Sequence, residues 1–316
     1  MSTRGRPRVA LATSVDWPHL SPDDAGIAPA LRHLGVDAEI ATWTDATVEW
    51  SRFDAIVIRS CWDYHEDLAA WLAWLDRLDR DGAGARTHNP PSLLRWNARK
   101  TYLTELAGHG IATVPTVWLD DAELASVAHL RAALRAAGGE AEELVAKPAV
   151  SAGARGTVRL RRSQLDDDSA RRQLEDVLPV WRLRGPVLVQ PFLAEIADPG
   201  EWSLLFFDGH FSHAVVKRPA AGDFRVQPQH GGSTEFRQPP PDLLDAAQQV
   251  LRVALPLATG EARPALYARV DLVVVAGTPL LMELEVIEPA LFLRHAPLEA
   301  GPERLARAIA ARIGGK

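Results

Sequence analysis

Three carboxylates and an arginine crowd an otherwise apolar stretch from Tyr267 to Pro289, YARVDLVVVAGTPLLMELEVIEP, and this crowding constrains the chain more than any other feature. Val, Leu and Ile fill the positions between them and Gly277-Thr278 breaks the run, so the stretch reads as an antiparallel hairpin. Residues two apart share a strand face, which puts Arg269 with Asp271 and Glu283 with Glu285. A three-residue loop, Ala276 to Thr278, sets Asp271 opposite Glu283 and brings all four to one side, whereas a two-residue loop separates them. The three-residue loop is the expectation.

Like charges ~4 Å apart repel by about 4 kcal/mol at an effective dielectric of about 20, so a bare acidic cluster destabilises a sheet. A divalent cation removes the difficulty. Mg²⁺ is a hard ion that takes a few carboxylate oxygens, keeps some water and completes its shell with substrate phosphates. Asp271, Glu283 and Glu285 are its candidate ligands. The competing reading is a solvated strand face pairing with surface Arg and Lys, which an isolated hairpin would favour. The evidence against that lies upstream, where lysines and a glycine loop suit phosphates.

With 316 residues, 47% of them hydrophobic, the chain can bury a substantial core divided among two or more lobes. A net charge of −6 without a long basic run argues against nucleic acid as the main partner. Cys61 is the single cysteine, which excludes an internal disulfide and multi-cysteine metal motifs and fits a cytoplasmic protein. The opening MSTRGRPRVALATSV is too short and polar for a signal peptide, and no later apolar stretch reaches membrane-spanning length.

Residues 1–90 alternate strand and helix: a strand from Arg8 to Thr13, a helix from Asp24 to Leu34, then DAEIATW, FDAIVIRS and a long helix after Tyr64. This pattern predicts a parallel-sheet α/β layer, with ligands beyond the carboxyl ends of its strands. Asp16 and His19 follow the first strand, and Arg59, Ser60, Asp63 and Tyr64 follow FDAIVI. They are candidates for gripping a small polar substrate, with Arg59 able to fork onto a carboxylate. Taken singly, a helix-capping Asp63 and a surface Arg59 read equally well. Trp62 and Trp71 read as packing residues.

The THNPP break marks a linker into a second lobe, residues 91–186. LLRWNARKTYLTELAGHG reads as one helix carrying Lys100, followed by a strand near Val114 to Leu119, a helix to Ala136 and the strand ELVAKPAV. Lys147 stands alone among apolar neighbours in that strand, and a lysine so placed needs an anion. SAGARGT follows, with Gly153 and Gly156, where small residues let backbone N–H groups close on phosphate oxygens. A plain hairpin turn is the alternative, countered by the adjacent Lys147.

In the third lobe, residues 187–316, the strand VLVQPFL carries Pro191 at an edge or hinge. The hinge Gln190, Pro191, Phe192 and Leu193 has amides suited to an adenine edge, and Glu195 or Glu201 can hold ribose hydroxyls. Lys217 joins this nucleotide set. The loop GDFRVQPQHGGSTEFR, with Arg225, His230, Gly231 and Gly232, reads as a functional lid, and its glycines count as substrate-side candidates. His210 and His213 read as surface residues beside a turn.

This order of parts resembles the ATP-grasp superfamily: a helix lysine, a strand lysine with a glycine loop, an adenine hinge and RVD…MELE. The likeness covers the chain from Asn97 onward, and its second half looks like the glutathione synthetase, ribosomal-protein glutamate ligase and D-alanine:D-alanine ligase group. The first lobe, with VDWPHLSPDD and IRSCWDY, is similar to the bacterial ligase family containing the O-ureidoserine cyclo-ligase of cycloserine biosynthesis. The resemblance implies an ATP-grasp fold of α/β and α+β lobes behind an N-terminal parallel-sheet domain. It further implies that Lys100 and Lys147 bind ATP phosphates, that Gln190 to Leu193 and Glu201 bind adenine and ribose, and that Asp271, Glu283 and Glu285 hold Mg²⁺, two ions by expectation. Arg225 and Arg269, with Lys147, stabilise charge on the transferred phosphoryl group in this picture. Two departures stand out: Glu285 where the superfamily commonly has Asn, and Glu288 where it often has Ser.

The implied activity is an ATP-dependent carboxylate–amine ligase acting through an acyl phosphate on a small amino-acid-like substrate, releasing ADP and phosphate. Intramolecular ring closure, a nucleotide-sensing module without turnover and a kinase are the alternatives. A two-fold homodimer is the expected assembly.

Overall fold

The computed structural model describes residues 5–137, 139–226, 230–297 and 301–314. In the first lobe β1 (Arg8–Thr13), α1 (Ile27–His33), β2 (Asp37–Thr42), β3 (Ala55–Ile58), α2 (Leu68–Arg80) and β4 (Thr87–His88) build a parallel sheet of order β2-β1-β3-β4. β1 is buried on both faces, as parallel strands are: Val9 and Leu11 enter a core shared with α1, while Ala10 and Ala12 face a tryptophan cluster on α2. Asp67 caps α2 by accepting from Ala70 N–H at 2.9 Å, the capping role considered above for Asp63.

The expected single helix around Lys100 is two, α3 (Pro91–Asn97) and α4 (Tyr102–Gly108). Residues 98–101 form the break, and there Lys100 N–H bonds Ala149 O at 2.9 Å, a tertiary tie that replaces a helical bond. Next come β5 (Val117–Leu119), α5 (Val127–Ala136), β6 (Glu143–Pro148), β7 (Val158–Arg161), α6 (Asp168–Leu183) and β8 (Val187–Pro191). They form an antiparallel sheet of order β5-β8-β6-β7. The sequence reading had no helix at α6, yet Leu174, Leu178 and Trp181 recur on one face and bury against this sheet. Each such buried side chain contributes roughly 1.5–3 kcal/mol.

The last lobe holds β9 (Glu201–Phe207), β10 (His210–Arg218), β11 (Ser233–Phe236), α7 (Pro241–Thr259), β12 (Tyr267–Val275), β13 (Thr278–Glu285) and α8 (Pro302–Gly314). Its sheet runs β11-β10-β9-β12-β13, all antiparallel. β13 is an edge strand, and side chains from the preceding lobe occupy its outer backbone groups. Asn97 donates to Leu284 O at 2.8 Å and accepts from Val286 N–H, while the Tyr102 hydroxyl bonds both backbone groups of Leu284. The edge is thereby closed.

The β12–β13 loop corrects one expectation. It has two residues, Ala276 and Gly277, both with positive φ (48° and 81°), as tight hairpin turns require. A β-bulge between Asp271 and Leu272, with Met282 as the extra residue, then restores the pairing that the loop alone would lose: Asp271 faces Glu283 and Arg269 faces Glu285. His213 is a second correction, since it is buried with Nε2 at 2.9 Å from Leu291 O, whereas His210 is exposed. Among the described residues no helix is long and apolar enough to cross a membrane.

Candidate active site

The two antiparallel sheets and the first lobe enclose a cavity of about 790 Å³. Of the sixteen expected nucleotide, metal and catalytic residues, the fold gathers fourteen on its wall. Lys100, Lys147, Gly153, Gln190, Pro191, Phe192, Leu193, Glu201, Lys217, Arg225, Arg269, Asp271, Glu283 and Glu285 all line it, joined from the first lobe by Asp16, Asp63 and Tyr64.

Six expectations fall outside the lining. Arg59 is fully buried, forked onto Asp24 (3.0 and 3.1 Å) and donating to Pro289 O at 2.7 Å, so its charge is spent on holding the chain. Ser60 is buried beside it, donating to Asp24 at 2.9 Å and accepting from Ser21 N–H. Gly156 turns its carbonyl to the Trp181 indole at 2.8 Å, and the wall is carried instead by Ala152, Gly153, Ala154 and Arg155. Glu195 lies in a short turn whose Ile196 faces the cavity. Gly231 and Gly232 do not line the cavity, although Thr234 of β11 just beyond them does, and His19 is exposed; of the expected lid, Phe224, Arg225 and Val226 line the cavity while residues 227–229 lie outside the described set.

The acids are arranged in a graded field. Oxygens of Asp271, Glu283 and Glu285 lie within 4.8 Å of one another. Asp271 is buried, which raises its pKa, but Arg269 and Lys217 outweigh burial and hold it at about 2; Ser203 donates to it at 2.5 Å and Lys217 at 3.1 Å. Burial likewise raises Glu283, and Lys100 (2.9 Å) and Lys147 overcome it, so its pKa is lowered. Glu285 bonds Arg269, yet burial and the two neighbouring acids push it up to about 7. A divalent cation would relieve that repulsion, and hard oxygen donors of this spacing suit Mg²⁺.

Across from the acids, Lys147 makes no hydrogen bond or ion pair with any described residue, and burial lowers its pKa. Lys100 donates to Ser151 O at 2.8 Å and pairs with Glu283, and so ties the glycine loop to β13. Lys217 joins Glu201 (2.6 Å) to Asp271, and Arg225 is forked onto Asp223 (2.8 and 3.1 Å). Gln190 donates to Thr116 at 2.9 Å, which fixes the hinge strand against its neighbour.

Several wall residues escaped the sequence reading. Trp62 is not helix packing: it lines the cavity, donates to Glu288 O at 2.9 Å and meets Trp17 edge-on at 5.2 Å, whereas Trp71 is packed in the core as expected. His65 and Arg155 also line the wall, as does Glu288, which the sequence had singled out as a departure from the superfamily pattern.

Residues 9–89 match the family described as the N-terminal domain of D-cycloserine synthetase DcsG. Over 313 residues the chain is 34% identical to the cycloserine biosynthesis protein DcsG of Streptomyces lavendulae, covering 96% of this chain and 98% of that protein. The crystal structure of D-cycloserine synthetase DcsG aligns with a TM-score of 0.81 at 32% identity, over 97% of this chain and 99% of that one. D-alanine–D-alanine ligase from Bacillus anthracis, solved with ATP, shares the fold at a TM-score of 0.64 and 17% identity, over 97% of both chains. The ATP-grasp ligase PsnB, solved with a minimal precursor, Mg and ADP, does so at 0.63 and 18%, over 99% of both.

Proposed function

The chain belongs to the DcsG family of ATP-grasp ligases, enzymes that form C–N bonds, and from that premise we propose that it closes a cycloserine-type ring within one amino-acid-like substrate. Identity across nearly the whole chain favours this reading over ligation of two separate molecules. The observation that carries the ATP chemistry is that Lys147, which pairs with no described residue, lines the same cavity as Asp271, Glu283 and Glu285. An unpaired cation sharing a cavity with a trio of acids suits a phosphate held with its metal.

In this reading Lys100 and Lys147 hold ATP phosphates, with the glycine loop of Gly153 closing over them. The strand Gln190–Leu193 takes adenine, and Glu201, held by Lys217, takes ribose. Asp271, Glu283 and Glu285 would hold Mg²⁺, which when bound neutralises phosphate charge. Two ions are proposed, because three carboxylates offer more oxygens than one ion keeping its water would use. Arg269 and Arg225 supply fixed positive charge to the transferred group. The substrate carboxylate attacks the γ-phosphorus and ADP leaves; a nitrogen then attacks the acyl carbon, giving up a proton as phosphate leaves, and a ring formed from O-ureidoserine carries its carbamoyl group on that nitrogen until water hydrolyses it off. The wall of Asp16, Asp63 and Tyr64 is the substrate side. Lobes 1–90, 91–186 and 187–316, cytoplasmic action and a two-fold homodimer complete the proposal.

The test is ADP release from pure protein with Mg²⁺ and ATP. O-ureidoserine alone should support it. Release only with pairs of amino acids would replace ring closure by two-substrate ligation, and absence of nucleotide binding in calorimetry would end the proposal.

A further inference from the structure

The cavity wall carries both signs of charge: Lys100, Lys147 and Lys217 line it, and so do Asp16, Asp63 and Glu288. Asp16 is exposed to water and Asp63 accepts from the Trp43 indole at 2.8 Å. Glu288 has neither relief. It is only 6% exposed, it lines the cavity, and among the described residues no other side chain donates to its carboxyl group or pairs with it.

A buried carboxyl without a base is costly to keep charged, and here Glu285 adds a second acid nearby. Burial, then Glu285, push the Glu288 pKa up to about 8; its own backbone amide, Lys100 and Arg269 favour the charged form but are outweighed. An incoming cation would add to them. The Trp62 indole donates to the backbone oxygen of Glu288 at 2.9 Å, and Trp17 packs edge-on against Trp62 at 5.2 Å, so a pair of aromatic rings, of the kind that attract cations, sits next to this residue.

We infer that Glu288, with Trp62 beside it, receives the primary ammonium group of an amino-acid substrate and thereby selects amine-bearing substrates. The inference deepens the proposed function and rests on it. A neutral partner would leave Glu288 and its acidic neighbour Glu285 without the relief a cation gives.

Calorimetry on the full chain with Mg²⁺ and ADP present tests this with two probes, D-cycloserine and isoxazolidin-3-one, the same ring without its amine. The wild-type protein should prefer D-cycloserine by about tenfold or more, the scale of a charge-assisted hydrogen bond. Glu288→Gln keeps the shape and loses the charge, so the preference should fall to about threefold or less; Glu288→Asp should retain part of it. Wild type that binds the two rings equally, or binds neither, overturns the inference, as does a Gln variant that keeps the full preference. A purely structural Glu288 would leave the preference untouched in any variant that folds. Titration with MgADP alone reads the nucleotide site separately: its failure removes the proposed function, whereas lost amine discrimination with MgADP still bound removes only the Glu288 assignment.

Discussion

Asp271 on β12 faces Glu283 on β13 in register, and each is held by a different lysine, Lys217 at 3.1 Å and Lys100 at 2.9 Å. Two like charges are thus kept side by side without collapsing onto one base. The site is poised between repulsion and neutralisation.

Asp271→Asn should expose how much of the lobe leans on this balance. Lys217 and Arg269 would each lose a partner while Glu201 and Glu285 remain. Breaking one member of a buried ionic group is expected to cost about 3 kcal/mol, read as a lower urea midpoint with unchanged slope. Mg²⁺-dependent ADP release should fall below detection in the same variant.

Lys147→Met should behave in the opposite way. The lysine is half-buried and pairs with no described residue, so an apolar side chain of similar length should leave stability unchanged or raise it by about 1 kcal/mol. Affinity for MgADP or MgATP should drop roughly tenfold to a hundredfold in calorimetry. A protein that is no less stable but binds nucleotide poorly identifies a functional cation.

Arg59→Ala should act on folding alone. Its guanidinium joins Asp24 to Pro289 O in the interior, and its loss leaves Asp24 with Ser60 as its remaining donor. The expected penalty is about 3–5 kcal/mol in urea unfolding, with MgADP affinity of the folded fraction close to wild type.

His65 should give the stability curve part of its acid slope. Burial first, then Arg184 and Arg155, lower its pKa to about 4, and neither ring nitrogen has a hydrogen-bond partner among the described residues. Between the ordinary value of 6.5 and about 4 the unfolded chain binds a proton that the folded chain refuses, so stability is full above 6.5 and declines as pH falls through this window. His65→Gln should remove a loss on the order of 3 kcal/mol between pH 7 and pH 4, measured as urea unfolding against pH.

Much of the site could be read from residue types because its signals are local. A lysine isolated in ELVAKPAV and acids spaced two apart in MELE announce themselves within one strand. Arg59 failed for the opposite reason: its partners lie 35 and 230 residues away, and no local pattern separates an arginine that grips a ligand from one that grips Asp24. The helix broken at 98–101 kept its apolar periodicity across the break, since the interruption comes from Ala149 on another element. Trp62 was misread because its indole is claimed by Glu288 O, a partner supplied only when the first and last lobes meet. Loop length was misjudged at Ala276-Gly277, although the facing residues were right, because alternation cannot reveal a bulge.

Met282 stands between the tight turn and the acids, and this gives the hairpin slack. A residue gained or lost at the turn would ordinarily invert the strand and bury the wrong side chains, but a bulge that can form or vanish absorbs an odd step before it reaches Glu283. One-residue insertions at Ala276-Gly277 should therefore be tolerated, with the charged end keeping its geometry, where insertions past Met282 are not.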